Sequence, residues 1–253
     1  MSFEMQPRTD AGETLTALIA DVTPTLWGRA GAADEANSMC LDNYKAVQAS
    51  GIAAAFIPTE FGGLGLQSMH DWLVAIARLA RGDGSVAIAF NMHFSATRGM
   101  AARFRACAPG TDEARRLESQ MRQVAAGEML ICSTTTESGT DNLHPLTEAM
   151  RTDSGWSVSG TKYFVTMSPI ATHVGLNVRT RDGNGDYIAN VFTRMDAPGI
   201  VPGNNWDALG MRASGSQSVT FENCEVPKDA LRIIGPWGQW SIPVLLHRTL
   251  ANV

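Results

Sequence analysis

The residues best suited to chemistry lie in a hydroxyl-rich stretch, "ICSTTTESGTDN", at residues 131–142. It holds four threonines and two serines. Threonine favours β-strands because its β-branched side chain is stiff, whereas residues 137–141 are typical of a turn. Hydroxyls at such a strand end either face water or bind a ligand that carries many acceptor oxygens.

A second stretch, "GTKYFVTM" at residues 160–167, combines an aromatic ring with a hydroxyl group. Because side chains alternate between the two faces of a strand, Phe164 and Thr166 are predicted to share one face. Such a pair occurs on ordinary sheet surfaces. It also suits a flat heteroaromatic cofactor, which needs a wall to pack on and a donor for a ring nitrogen. The residues alone leave both interpretations open.

Several standard catalytic signatures are absent from the sequence. It contains no GxGxxG, GxxxxGK[ST] or GxSxG pattern, and we interpret the SxxK match at 159–162 as chance because it lacks a KTG partner. The five histidines have no metal-ligand spacing, and His93 is predicted to be a hydrogen-bonded structural residue. The four cysteines are far apart, which favours reduced thiols and excludes a compact disulfide framework.

Composition indicates a globular protein without a nucleic-acid partner. Hydrophobic residues make up 44% of the 253 residues and charged residues 18%, which is ordinary for a chain with a sizeable core. The net charge of −5 does not indicate the basic surface that nucleic-acid binding requires. We find no secretory pattern and no apolar run of about 20 residues. We therefore expect no membrane span and a cytoplasmic location.

The order of the predicted elements indicates an α+β protein. Helical periodicity fills the first half, with Ser68 and Asp71 as a capping box and Ser85 as the cap of the next helix. Short β-rich runs separated by turn signals then follow from 128 to 227. We predict an N-terminal helical domain, an antiparallel β-barrel or sandwich as middle domain, and the start of a C-terminal helical bundle, at 1–126, 127–235 and 236–253. Within the first domain we predict helices at 12–20, 35–50, 69–80, 86–106 and 112–126.

The chain resembles the acyl-CoA dehydrogenase family over nearly its whole length. Five segments follow the family's motifs in order: "FIPTEFGGLGLQ" (56–67), "RGDGSVAIAFNMH" (81–93), "AAGEMLICSTTTESGTD" (125–141), "GWSVSGTKYFVTM" (155–167) and "DALGMRASGSQSVTFENCEVP" (207–227). The resemblance implies a helical domain, a middle β-barrel and a four-helix bundle, assembled as a homotetramer or homodimer. It also implies FAD, bound between the barrel and the bundle.

The resemblance assigns roles to both stretches. The implied FAD-binding residues are Ile131, Ser133, Thr134, Gly139, Thr140, Phe164, Val165 and Thr166. The hydroxyls of Ser133 and Thr134 would donate to one edge of the ring, and Gly139 and Thr140 would meet the phosphates. Phe164 would pack on the ring, and Thr166 would bond near its central nitrogen. The sequence departs from the family at 135–136, where two threonines replace Glu-Pro.

The resemblance also bears on the catalytic base. In most family members it is a glutamate in the C-terminal bundle, beyond the position of Val253. In a minority a glutamate directly precedes an arginine, and this chain has His247 and Arg248 there. His247 is therefore the candidate catalytic residue. Arg248 and Thr140 are the candidate substrate contacts, and no metal is implied.

Three functions remain open from the sequence. The first is an FAD-dependent acyl-CoA dehydrogenase of fatty acid metabolism, which desaturates an acyl-CoA and passes electrons to an electron-transfer flavoprotein. The second is a flavin-dependent monooxygenase of the same fold that receives reduced flavin from a separate flavin reductase. The third is a non-catalytic subunit that contributes half a flavin site to a hetero-oligomer.

Overall fold

The computed structural model describes residues 4–239. Most of the predicted bundle start, including His247 and Arg248, lies outside the described residues. The described residues fold into two compact units. One runs up to Leu130 and includes Asp207–Ser214, and the other comprises Ile131–Trp206 and a segment that starts at Gly215. Within residues 4–239, no helix combines the length and the apolar character needed to cross a membrane.

The first unit is helical, as predicted, but its helix bounds differ from the prediction. The helices are α1 (Asp10–Glu35), α2 (Leu41–Ala49), α3 (Met69–Gly82), α4 (Gly84–Ala106) and α5 (Asp112–Ala125). The helix predicted at 12–20 is much longer in the structure, since α1 continues to Glu35. The helix predicted at 35–50 consequently begins only at Leu41. Helix α4 is capped by Asp83, not Ser85, since the Asp83 carboxylate accepts hydrogen bonds from the backbone N–H groups of Ser85 and Val86.

The core of the helical unit is aromatic. The rings of Trp72 and Phe94 both pack edge-on against Phe56, with centroids 5.0 Å and 5.6 Å away. His93 is fully buried beside them, and its Nε2 lies 3.0 Å from the carbonyl oxygen of Ala53. The prediction that His93 is a hydrogen-bonded structural residue is therefore confirmed.

The predicted capping box at the start of α3 forms only in part. The hydroxyl of Ser68 accepts a hydrogen bond from the Asp71 backbone N–H at 3.2 Å, as predicted. The buried Asp71 carboxylate turns instead to the start of α1, where it accepts the N–H groups of Arg8 and Thr9 and the Thr9 hydroxyl at 2.6–3.0 Å. Burial alone would raise the pKa of Asp71, but these hydrogen bonds hold it below its usual value. One carboxylate thus fixes the chain that enters α1.

Replacing Asp71 with alanine is expected to lower the free energy of unfolding by about 2–3 kcal/mol, because three hydrogen bonds from Arg8 and Thr9 to the buried carboxylate are lost. Urea unfolding followed by circular dichroism measures the change. The exposed Asp42, whose nearest cation is Lys45 at 3.9 Å, provides the control. Asp42→Ala should change stability by no more than about 0.5 kcal/mol. Equal losses in the two variants would contradict this role for Asp71.

The second unit is a single, mostly antiparallel sheet of eight strands. They are β1 (Ile131–Thr134), β2 (Glu148–Arg151), β3 (Gly155–Val165), β4 (His173–Asp182), β5 (Gly185–Arg194), β6 (Ile200–Pro202), β7 (Gln217–Pro227) and β8 (Leu231–Pro236). The spatial order is β6-β7-β3-β2-β4-β5-β8, and β1 pairs in parallel with β4. The predicted order of a helical domain before a mostly antiparallel one is confirmed.

The core of the sheet unit consists of small and β-branched side chains on the central strands. Val158 and Val165 of β3 are fully buried, and Phe221 of β7 is almost so. Alternating inward residues of β4 and β5 complete this core, among them Val174, Leu176, Val178, Ala189 and Val191. The burial fixes the register of β3 against β7.

Candidate functional site

The two stretches singled out in the sequence lie side by side. Strand β1 leads into a loop at residues 135–147, and the beginning of that loop runs along the end of β3. The Thr134 hydroxyl donates to the Tyr163 carbonyl at 3.2 Å, and the Tyr163 N–H donates to the Thr136 carbonyl at 3.0 Å. Residues about thirty positions apart therefore form one continuous surface.

The strand residues of this surface are mostly buried. Ile131 of β1 and Val165 of β3 are fully buried, backbone included. Ser133 and Thr134 are also largely buried, with Ser133 opposite Gly175 of β4. Because glycine has no side chain, the partner strand adds no bulk beside Ser133.

The middle of the loop forms an exposed turn. Gly139 has a φ of +77°, and nothing lies within 4 Å of the position that a Cβ atom would take. The Thr140 hydroxyl donates to the His144 carbonyl at 2.6 Å. The Asp141 carboxylate accepts the N–H groups of Leu143 and His144, and backbone and His144 hydrogen bonds lower its pKa. The turn is thus ordered by its own bonds and leaves the backbone at Gly139 accessible.

The end of β3 does not follow the simple alternation that we predicted. The pairing of β3 with β7 shifts between Lys162 and Val165, and Phe164 adopts a φ of +53°. Phe164 is consequently 58% exposed, whereas Thr166 is only 6% exposed. The prediction that alternation places Phe164 and Thr166 together on one face of a regular strand is therefore wrong, because a bulge interrupts the strand.

The bulge nevertheless creates an aromatic wall beside buried hydroxyls. The Phe164 ring meets Trp206 edge-on, with centroids 6.0 Å apart and planes at 87°. The Trp206 backbone N–H donates to the Gln217 side chain at 2.7 Å, which holds this residue against β7. The hydroxyls of Thr166 and Ser216 lie 2.9 Å apart. We did not predict Trp206 or Ser216, although both lie near a segment that resembles a family motif.

A buried ion pair lies beneath the loop. Lys162 of β3 has a fully buried side chain, and its Nζ pairs with the Glu137 carboxylate, whose side chain is 3% exposed. The same carboxylate accepts the N–H groups of Leu146 and Thr147. We did not predict this pair. The sequence did contain one signal, a lysine at 162 between β-type residues in a predicted strand. A lysine that is buried in a strand is almost always paired with an acidic group.

The remaining reactive side chains of residues 4–239 offer no competing site. No group of three or more His, Cys, Asp or Glu side chains in that range could hold a metal. All four cysteines are free, as predicted, and burial raises the pKa of Cys132 to about 12. A thiol with that pKa is protonated at neutral pH and is a poor nucleophile.

The geometry of the surface fits a flat cofactor with a phosphate. Phe164 offers an exposed ring as a wall, and Thr134 and Thr166 offer hydroxyls at buried positions. The open backbone around Gly139 leaves space for a group as large as a phosphate. An aromatic ring, hydroxyl groups and an accessible glycine turn are groups that can contact a flat ring and a phosphate.

Family comparison agrees with this geometry. The model of the acyl-CoA dehydrogenase N-terminal domain matches residues 21–115, and that of the middle domain matches residues 131–224. The chain belongs to the acyl-CoA dehydrogenase family. Membership supports a flavin as cofactor, while FAD in particular is not distinguished from FMN.

Several relatives within the acyl-CoA dehydrogenase family act on sugars. L-Evernosamine nitrososynthase of Micromonospora sp. is 35% identical over 251 residues, which cover 98% of this chain and 58% of the relative. The solved structure of KijD3 in complex with FMN and dTDP-3-amino-2,3,6-trideoxy-4-keto-3-methyl-D-glucose is 31% identical with a TM-score of 0.87. That match covers 97% of this chain and 60% of KijD3.

A third relative also contains FMN. The FMN-bound structure of TdsC from Paenibacillus sp. A11-2 is 28% identical with a TM-score of 0.71, and the match covers 88% of this chain and 53% of TdsC. TdsC is also described as a dibenzothiophene monooxygenase. This chain therefore spans between about half and three fifths of the length of these three relatives.

Proposed function

We propose that this protein is a flavin-dependent monooxygenase that oxidises the amine nitrogen of a nucleotide-linked amino sugar. The similarity to a nitrososynthase over 98% of the chain carries the proposal. The similarity to KijD3, solved with FMN and a dTDP-linked amino sugar, supports both the flavin and the class of substrate. We accordingly propose FMN, delivered in reduced form by a flavin reductase, in place of FAD.

The described residues would hold and orient the flavin. Phe164, backed by Trp206, would pack on one face of the ring. Ser133 would donate a hydrogen bond to one edge of the ring, and Thr134 would do so by giving up its bond to the Tyr163 carbonyl. Thr166 would donate to the central nitrogen while its oxygen accepts from the Ser216 hydroxyl. When bound, the reduced flavin supplies the electrons with which oxygen inserts one atom into the N–H bond, the other atom leaving as water. The burial of these hydroxyls keeps bulk water from competing for the same hydrogen bonds.

The glycine turn would bind the phosphate. The backbone around Gly139 is open. The Thr140 hydroxyl lies within the same turn and would donate to the phosphate by giving up its hydrogen bond to the His144 carbonyl. Ile131 and Val165 are fully buried and would support the flavin site from beneath. We retain Thr140 and Arg248 as candidate substrate contacts and His247 as the candidate proton-transfer residue. We also retain a homodimer or homotetramer as the expected assembly.

Acyl-CoA desaturation has less support than amine oxidation. No described residue of the site distinguishes a thioester from an amino sugar. Three nitrososynthases match over 97–98% of this chain at 30–35% identity, whereas benzylmalonyl-CoA dehydrogenase matches over 79% at 27%. The family does include acyl-CoA dehydrogenases similar to this chain, such as benzylmalonyl-CoA dehydrogenase of Aromatoleum aromaticum. Desaturation with an electron-transfer flavoprotein is therefore the alternative that the experiment must exclude.

A reconstituted reaction tests the proposal. Full-length protein is mixed with FMN, a flavin reductase, NADH and a dTDP-linked 3-amino sugar in air, and the sugar is analysed by mass spectrometry. We expect a product that contains one more oxygen atom and forms only with both oxygen and reductase. An unchanged amino sugar, together with anaerobic bleaching of bound flavin by an acyl-CoA, would overturn the proposal in favour of the dehydrogenase. Protein that binds no flavin in either redox state would favour the half-site subunit.

Phe164→Ala is expected to weaken FMN binding by about tenfold, because the wall that packs on the ring is lost. Quenching of FMN fluorescence on binding measures the dissociation constant. Trp27→Ala is the matched control, since Trp27 is an aromatic residue of α1 that is 72% exposed. This control should bind FMN as the unmodified protein does. An unaltered FMN affinity in Phe164→Ala would remove Phe164 from the proposed site.

A further inference from the structure

The buried ion pair controls both ends of the exposed turn. Glu137 stands at the start of the turn, and its carboxylate accepts the backbone N–H groups of Leu146 and Thr147 at the end. We call this arrangement the Glu137 clasp, formed by Glu137, Leu146, Thr147 and Lys162. Residues 138–145 lie between its two sides and include the open turn at Gly139. The clasp therefore fixes the positions of the two ends of residues 138–145.

The clasp is joined to the sheet on both sides. At the start of the loop, the Tyr163 N–H donates to the Thr136 carbonyl at 3.0 Å. At its end, the Arg179 N–H donates to the Thr147 carbonyl at 2.7 Å. Strands β3 and β4 thus hold the two ends of the loop, and the Glu137 carboxylate connects the ends to each other. Closing a loop in this way reduces the conformations open to the segment between.

Lys162 makes the burial of the carboxylate possible. A buried charge is costly unless an opposite charge and hydrogen bonds accompany it. Burial alone would raise the pKa of Glu137, but the Lys162 ammonium and the hydrogen bonds at Thr147 lower it, so the carboxylate stays ionised. The positive charge also balances the negative one close to Gly139. A phosphate at the turn would then meet no uncompensated charge from Glu137, although the exposed Asp141 carboxylate lies in the same loop.

We propose that Glu137 is a positioning residue for the phosphate of the bound flavin, and that Lys162 is the counter-charge that allows it to be buried. This inference rests on the proposed flavin binding. Glu137 acts through the backbone, because its acceptor oxygens fix residues 146 and 147 relative to the start of the turn. The acceptor atoms, not the charge itself, set the position of residues 138–145.

Two uncharged double variants separate positioning from stability. Glu137→Gln/Lys162→Met keeps one of the two acceptor oxygens at position 137, whereas Glu137→Leu/Lys162→Met removes both. Neither variant buries an unpaired charge. Binding of FMN is measured by fluorescence quenching. Amide hydrogen exchange of the apoprotein is followed in peptides from 138–145 and, as reference, from the β4–β5 hairpin. Thermal melting confirms that each variant is folded.

The glutamine variant should bind FMN within about threefold of the unmodified protein, and the leucine variant about tenfold more weakly. Only the leucine variant should show faster exchange in 138–145, with the hairpin unchanged. Equal FMN affinities in the two variants would overturn the inference, and so would faster exchange in the hairpin as well as the turn. If the unmodified protein binds no FMN, the proposed function itself fails. The exchange data would then still report whether the clasp orders the turn.

Discussion

Replacing Lys162 with methionine is expected to lower the free energy of unfolding by about 3–5 kcal/mol, because the Glu137 carboxylate remains buried without its counter-charge. Methionine keeps most of the length and apolar volume of the lysine stem, so the loss reports the missing charge and not a cavity. Urea unfolding at neutral pH, followed by circular dichroism, measures the change.

Two comparisons identify the origin of that loss. Lys45→Met removes a lysine whose side chain is 73% exposed and should change stability by less than about 0.5 kcal/mol. Glu137→Gln/Lys162→Met should recover most of the loss, since replacing both members of a buried pair is often close to neutral. If the double variant were as unstable as Lys162→Met, the unpaired charge would not be the cause.

The pH dependence of Lys162→Met should be opposite to that of the unmodified protein. With Lys162 present, the pKa of Glu137 is below its unfolded value, so the pair stabilises fully above about pH 4 to 5 and less as the pH falls further. Without Lys162, burial raises the pKa of Glu137 above its unfolded value. The variant should therefore regain stability relative to the unmodified protein as the pH falls from 8 to 5, which urea titrations at each pH would show.

Gly160→Ala is expected to destabilise the protein by about 3–5 kcal/mol, since an unfavourable backbone conformation adds to a steric clash. Gly160 has a φ of +144°, and a Cβ atom there would lie 2.6 Å from the Thr147 hydroxyl oxygen and 2.7 Å from the Thr147 Cα. The clash would push apart β3 and the end of the loop at the clasp. Urea unfolding measures the stability, and FMN binding measures the effect on the turn.

A second glycine isolates the steric part of that effect. Gly185, in the β4–β5 hairpin, has a similar φ of +141°, but nothing lies within 4 Å of its Cβ position. Gly185→Ala should therefore show the conformational cost alone, about 1–2 kcal/mol, with FMN binding unchanged. Equal losses at Gly160 and Gly185 would show that contact with Thr147 contributes nothing.

Sequence patterns predicted the classes of element better than their ends. The α+β order followed from helical periodicity in the first half and β-rich runs in the second, because these patterns reflect burial directly. The choice between Asp83 and Ser85 as the cap of α4 could not follow from residue type, since both are good caps. The bulge before Val165 arises from pairing with β7, which no local pattern in "GTKYFVTM" records.

The sequence predicted the ligand-facing residues of the candidate site, but it did not predict the buried ion pair beneath them. The hydroxyl-rich stretch and the segment around Phe164 stood out because their residue types suit a ligand, and the resemblance joined them into one site. Lys162 and Glu137 carry charges that are usually solvated, so their burial could not be inferred from composition or periodicity. Their partnership depends on a hydrogen-bonded crossing of the loop over β3 that exists only in the folded protein.

The clasp also bears on how the family could diversify this site. It joins Glu137 to main-chain amides at 146 and 147, and those amides are present with any residue except proline. Substitutions within 138–145 can therefore accumulate without loosening the anchors, provided that the turn at Gly139 and the spacing of the ends are kept. Residues 138–145 can therefore vary in sequence while residues 137, 146 and 147 keep their positions. Segments of equal length from relatives that use another flavin or another substrate could be transplanted here with the sheet left untouched.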